Sequence, residues 1–67
     1  MTLAERYNYI ARVVFNDGAE SDHYFDDEEQ ARDFAFEAGD APDVDGVEIL
    51  LMDWLMHQET SLDYIEA

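Results

Sequence analysis

The ten residues VEILLMDWLM, positions 47–56, decide the fold. Val47, Leu50, Leu51, Trp54 and Leu55 recur at helical spacing. Val47, Ile49, Leu51 and Leu55 equally share one face of an extended chain, with Leu50, Met52, Trp54 and Met56 on the other. Both periods fit. Strand is preferred, because apolar residues on both faces suit a central strand. Asp43-Val44-Asp45-Gly46 just before them reads as a turn leading into it.

Upstream lies the clearest helix, predicted over 27–38. Ala31, Phe34, Ala35 and Ala38 fall at i, i+3, i+4 and i+7, one apolar stripe. Asp26 is the expected N-cap, with Glu29 reaching back in a capping box. Asp27, Glu28 and Glu29 in the first turn suit the helix dipole, and Gly39 is the expected C-cap. Further upstream, 6–15 alternates as a strand and 19–25 returns from it. Asn16-Asp17-Gly18 supplies a three-residue turn, with Gly18 in the left-handed position. That register sets Phe15 against Ala19, Arg12 against Asp22 as an exposed cross-strand ion pair, and Tyr9 against Phe25. Downstream, 57–60 turns the chain and 61–66 returns as a short edge strand with Leu62 and Tyr64 inward. The expected fold is α+β, in the order β-β-α-β-β: one small domain, 1–67, with a single helix across an antiparallel sheet.

Charge sets the functional question. Eighteen of 67 residues are Asp or Glu, only Arg6, Arg12 and Arg32 oppose them, and the formal net charge is −15. Solubility asks for a magnitude of only ~2–8 in a small domain, and self-repulsion destabilises the compact state. With 48% hydrophobic residues, the chain is too apolar for intrinsic disorder. No Cys is present, so neither a disulfide nor a thiolate metal site can staple the core. The first residues, 1–5, have no basic region or apolar run of a signal peptide, and no stretch approaches the ~18 apolar residues of a membrane span. A cytoplasmic protein is expected. Nucleic acids and anionic membranes would repel it, so neither is expected as a direct partner.

The acids are patterned at the expense of helix stability. Glu29, Asp33 and Glu37 stack at four-residue spacing, where like charges cost a few tenths of a kcal/mol each. Only Glu28–Arg32 offers a favourable pair at that spacing. Asp17, Glu20 and Asp22 crowd the hairpin, and Asp40, Asp43 and Asp45 the loop after the helix. These ten, Asp17, Glu20, Asp22, Glu28, Glu29, Asp33, Glu37, Asp40, Asp43 and Asp45, are the candidate partner-binding residues. Duplex DNA presents about one negative charge per 1.7 Å of axis, so a Lys- and Arg-lined cleft built for phosphates would attract such carboxylates.

In size, acid excess and single-domain α+β reading, the chain resembles the small acidic phage-encoded anti-CRISPR proteins and related DNA-mimic inhibitors of bacterial defence. These share no diagnostic motif. The resemblance implies a DNA-binding CRISPR effector as target, such as a multi-subunit surveillance complex in the host-cell cytoplasm. A restriction enzyme, a DNA glycosylase or a nucleoid protein fits the same physics.

A salt-loving habitat also favours acid-rich, Lys-free surfaces, and a halophilic housekeeping domain is the alternative function. Asp43, Asp45 and Gly46 align with an EF-hand loop only by placing Ala41 and Met52 at its first and twelfth positions, where carboxylates are needed, so no metal is expected. His23 and His57 are far apart in sequence and read as ordinary sheet or surface residues. A chain this short lacks room for a pocket of ~300 Å³, so neither an enzyme nor a cofactor is expected. Leu50, Met52, Trp54 and Met56 either cover the second face of a central strand or form a partner surface, a homodimer through the Trp54 strand included. Tyr7, Tyr9, Tyr24 and Tyr64 are expected to pack on the sheet.

Overall fold

The computed structural model describes residues 6–67; the leader reading of Met1–Glu5 lies outside them. Among the described residues the elements run β1 (Tyr7–Phe15), β2 (Glu20–Phe25), α1 (Glu28–Gly39), β3 (Val44–Asp53) and β4 (Gln58–Glu66). The sheet is antiparallel throughout, in the order β2-β1-β3-β4. The expected α+β architecture is thus the one the chain adopts.

The first hairpin follows its sequence closely. Tyr9 pairs with Phe25 and Arg12 with Asp22. The Phe15 N–H donates to the Ala19 carbonyl at 2.9 Å, and Gly18 closes the loop at φ 90°, a conformation that costs a side-chain-bearing residue about 1–2 kcal/mol. The helix is displaced by one residue from its expected bounds. Its N-cap is Asp27, not Asp26: the Asp27 carboxylate accepts from the Gln30 N–H at 2.8 Å. Its C-cap is Asp40 in right-handed geometry, so Gly39 ends the helix without a left-handed turn.

Residues 47–56 resolve as strand, but shifted towards the N-terminus. Val44 and Gly46 already pair with β1, so 44–46 belong to the strand and not to a turn. Asp45 is an extra residue between the Val14–Gly46 and Phe15–Val44 pairs, a β-bulge. β3 stops at Asp53, and Trp54, Leu55 and Met56 lie in the turn to β4. The physical reason is the Asp53 carboxylate. Its Oδ1 accepts from the Leu55 and Met56 N–H groups at 3.1 and 3.3 Å, which bends the chain away from the ladder.

β4 corrects a second expectation. Leu62 and Tyr64 are exposed, and Ile65 is the residue packed on the core. Leu62 is skipped between the Ile49–Asp63 and Leu50–Ser61 pairs, and the bulge reverses the face of everything before it. Tyr64 instead lies over Gly46, where any Cβ would collide with its ring, and donates its hydroxyl to Asp45 at 3.2 Å.

The core is thin. Ala11, Val13, Val44, Val47 and Ile49 on the sheet meet Ala31 and Ala35 on α1, with Tyr9, Phe15, Phe25, Phe34, Ala38, Ala41 and Ile65 around them. Alanines at the contact let the helix approach the sheet closely, and the surrounding aromatics seal the edges. On the helix-free face Ile10 and Leu50 are also buried. They are paired with each other, Ile10 lies beside Tyr24, and the Tyr24 ring meets Trp54 at 5.9 Å.

Candidate partner-binding surface

The three arginines divide the carboxylates into two populations. Arg12, on the helix-free face of β1, reaches Asp22 on β2 at 2.8 Å, Glu48 on β3 at 3.8 Å and Glu59 on β4 at 3.0 Å. One guanidinium thereby joins all four strands. The exposed cross-strand pair with Asp22 expected from the hairpin is present, and β3 and β4 bring two further carboxylates to the same guanidinium. The hydrogen bond from Arg12 holds the Asp22 carboxyl below the usual aspartate range. Arg32 links Glu28 within α1 and Asp63 on β4, both at 2.9 Å, and lowers the Asp63 carboxyl. Arg6 grips Asp53 through two bonds, at 3.2 and 3.1 Å, and lowers it likewise.

The second population has no cation beside it among the described residues. On α1, Glu29, Asp33 and Glu37 lie along the side turned away from the sheet, opposite buried Ala31 and Ala35. At ~1.5 Å rise per residue, neighbours in that row are ~6 Å apart along the axis. Asp40 continues the row at the helix end. There α1 meets the hairpin: the Asn16 N–H donates to the Asp43 carbonyl at 2.9 Å, and Asn16 Nδ2 to the Pro42 carbonyl at 3.1 Å. These bonds hold Asp17, Asp40, Asp43 and Asp45 at one end of the molecule. Glu20 lies beside them, opposite Val14, whose other neighbour is Gly46.

Of the ten residues singled out from sequence, eight have no salt bridge among the described residues: Glu29, Asp33, Glu37 and Asp40 along the helix, and Asp17, Glu20, Asp43 and Asp45 at the end of the molecule where it stops. Asp22 and Glu28 are engaged by Arg12 and Arg32. Two residues of this surface were missed. Glu66 joins the acidic end because the following residue, Ala67, donates its N–H to the Asp45 carbonyl at 3.2 Å, a contact only the tertiary fold creates. Phe36 lies on the acidic side of α1 with 62% of its surface exposed. That signal was legible, since a large apolar residue off the Ala31–Ala35 stripe must face outward.

The opposite end differs in kind. Trp54 donates its backbone N–H to the Arg6 carbonyl at 2.8 Å and its indole N–H to Asn8 Oδ1 at 2.7 Å. The turn is well ordered by these bonds, yet Leu55 and Met56 are 55% and 62% exposed. His57 closes it at φ 51°.

Other chemistry is sparse. Ser21 Oγ and His23 Nε2 are 2.9 Å apart, with the His23 ring 4.5 Å from Phe34 at the helix–sheet boundary. Among the described residues no three His, Asp or Glu side chains are grouped to hold a metal ion, and no helix is long and apolar enough to cross a membrane. Comparison with protein-family models, curated proteins and solved structures returned no match.

Proposed function

We propose that this protein is a non-enzymatic inhibitor that imitates DNA and occupies the basic nucleic-acid-binding cleft of a host defence complex, a DNA-binding CRISPR effector being the favoured target. One observation carries the reading: Glu29, Asp33 and Glu37 share the outer row of α1 with no arginine beside them, and Asp17, Asp40, Asp43 and Asp45 gather at the end where the helix meets the hairpin. Three features make this acidic surface a phosphate surrogate. Its charges sit on a helix and on bonded turns, so they are held in place before binding. Their spacing along α1, ~6 Å, is about twice the ~3.4 Å axial charge spacing of a single DNA strand, so the row corresponds to every second phosphate. Their mutual repulsion is relieved when cations of a partner arrive, so binding recovers energy that the free fold lacks.

The test is capture from a bacterial lysate on the immobilised protein, rinsed with rising salt, beside a variant carrying Glu29→Lys, Asp33→Lys and Glu37→Lys. The expected catch is a nucleic-acid-binding protein released by salt and absent from the variant column. Equal capture by the variant, with its helix intact by circular dichroism, removes the helix face from the proposal.

A further inference from the structure

Phe36 has no structural task in the fold. Its ring faces outward from α1 and is mostly exposed, and among the described residues neither the sheet nor another element covers it. On a helix its neighbours are the residues three and four away: Arg32, Asp33, Gly39 and Asp40. Arg32 is turned elsewhere, to Glu28 and Asp63. Gly39 has open space where a side chain would stand, so the ring is unscreened on that flank. Asp33 and Asp40 make no side-chain hydrogen bond among the described residues. The only cation over an aromatic ring there is Arg6 on Tyr7, at 4.9 Å. An uncovered aromatic face between two free carboxylates is complementary to one chemical group in particular. A guanidinium stacks flat on a ring and still directs its edge N–H groups at carboxylates, whereas an ammonium is a compact, strongly hydrated point charge.

We propose that Phe36 seats an arginine of the partner protein, its guanidinium stacked on the ring and donating to Asp33 and Asp40. The inference rests on the DNA-mimic reading and adds what the partner's cleft must carry: an arginine opposite the middle of α1, where lysine does not substitute. The acidic surface draws the cleft in, and the ring retains it. Loss of the ring therefore accelerates dissociation, and loss of the carboxylates slows association.

The probes are octa-arginine and octa-lysine peptides, titrated calorimetrically into the whole protein and into Phe36→Leu. Leucine keeps an apolar side chain and helix propensity but has no π face. The wild type is expected to prefer octa-arginine, and Phe36→Leu to lower that arginine-to-lysine preference about two- to fivefold, with octa-lysine affinity and the thermal midpoint unchanged. Arginine side-chain protons should show a ring-current shift on the wild type that the variant loses. If both peptides bind and the ratio is unaltered, the arginine seat is wrong while the DNA-mimic reading stands. If neither peptide binds, both fall. A dimer in sedimentation that Phe36→Leu dissolves assigns the ring to a second copy instead and overturns the proposal.

Discussion

Arg12 and the outer row of α1 are each built from three or more carboxylates, and they obey opposite rules. Around Arg12, Asp22, Glu48 and Glu59 converge from three strands because a cation stands between them. Along α1, Glu29, Asp33 and Glu37 are a turn apart with no cation between them. The first arrangement is a component of the fold: a partly buried guanidinium takes bonds from every strand of a sheet whose core is otherwise thin. The second is a liability to the fold, which the proposed basic partner would offset. Net charge alone could not separate these roles. The arginine positions do.

The sharpest way to break the contrast is to remove the cation from the first region. Arg12→Gln leaves three carboxylates facing each other beside buried Ile10 and Leu50, and should destabilise the domain by about 1–3 kcal/mol. In a domain this small that lowers the thermal midpoint by roughly 5–20 °C, measured by circular dichroism. Its pH dependence carries a sign. Asp22 titrates below its ordinary value in the folded protein because of its hydrogen bond to Arg12. Its contribution is therefore fully present above the unfolded value of about 3.9 and is lost as pH falls through the lower folded value. The gap between wild type and Arg12→Gln should be full near pH 7 and shrink once pH falls below the unfolded value and through the lower folded one. A gap that persists there would mean that Arg12 acts through packing alone.

Neutralising the second region should act in the other direction. Glu29→Gln, Asp33→Asn and Glu37→Gln together should raise stability by about 0.5–1 kcal/mol, from like-charge pairs worth a few tenths each, and raise the thermal midpoint by a few degrees. A loss of stability would show that the row supports the fold and would erase the contrast. Salt reaches both regions at once. The unopposed carboxylates outnumber the bridged ones, so added NaCl up to about 0.5 M should raise the midpoint by a few degrees, its screening length shortening to under ~10 Å. The protein should already be folded in dilute buffer. Folding only in molar salt would favour the salt-adapted housekeeping alternative. The smallest effect is expected at the apolar end. His57→Gly relieves a left-handed residue and should add up to about 1 kcal/mol, without altering binding by the acidic surface at the other end.

How far the sequence carries depends on how local the deciding interaction is. The hairpin register was legible because Asn16-Asp17-Gly18 fixes it within three residues, and Arg12 opposite Asp22 follows. The helix was legible from Ala31, Phe34, Ala35 and Ala38. The start of β3 was not. Asp43-Val44-Asp45-Gly46 has the composition of a turn, and it becomes strand only because β1 supplies partners, Asp45 bulges out and Tyr64 needs a bare Gly46 beneath it. The end of β3 was misread for a related reason. Trp54 to Met56 alternate acceptably, but the Asp53 carboxylate captures the Leu55 and Met56 N–H groups. The inward residue of β4 was misread because register, not composition, sets it: Ile65 pairs with buried Val47, which leaves Tyr64 beside Glu48 on the other face. The helix row of the candidate surface follows from four-residue spacing alone. Its continuation through Asp17, Asp43, Asp45 and Glu66 depends on Asn16 and Ala67 hydrogen bonds that join distant segments.

Duplex DNA offers the most direct examination of the phosphate-surrogate role. The protein is bound to the target captured from lysate, and unlabelled duplex is titrated into the complex at constant ionic strength while the fluorescence of Trp54, or of a label placed at the Trp54 end, reports release. Complete displacement, with DNA and protein never present on the target together, is the expected result. A ternary complex, in which the target holds duplex and protein at once with undiminished affinity for each, would contradict it.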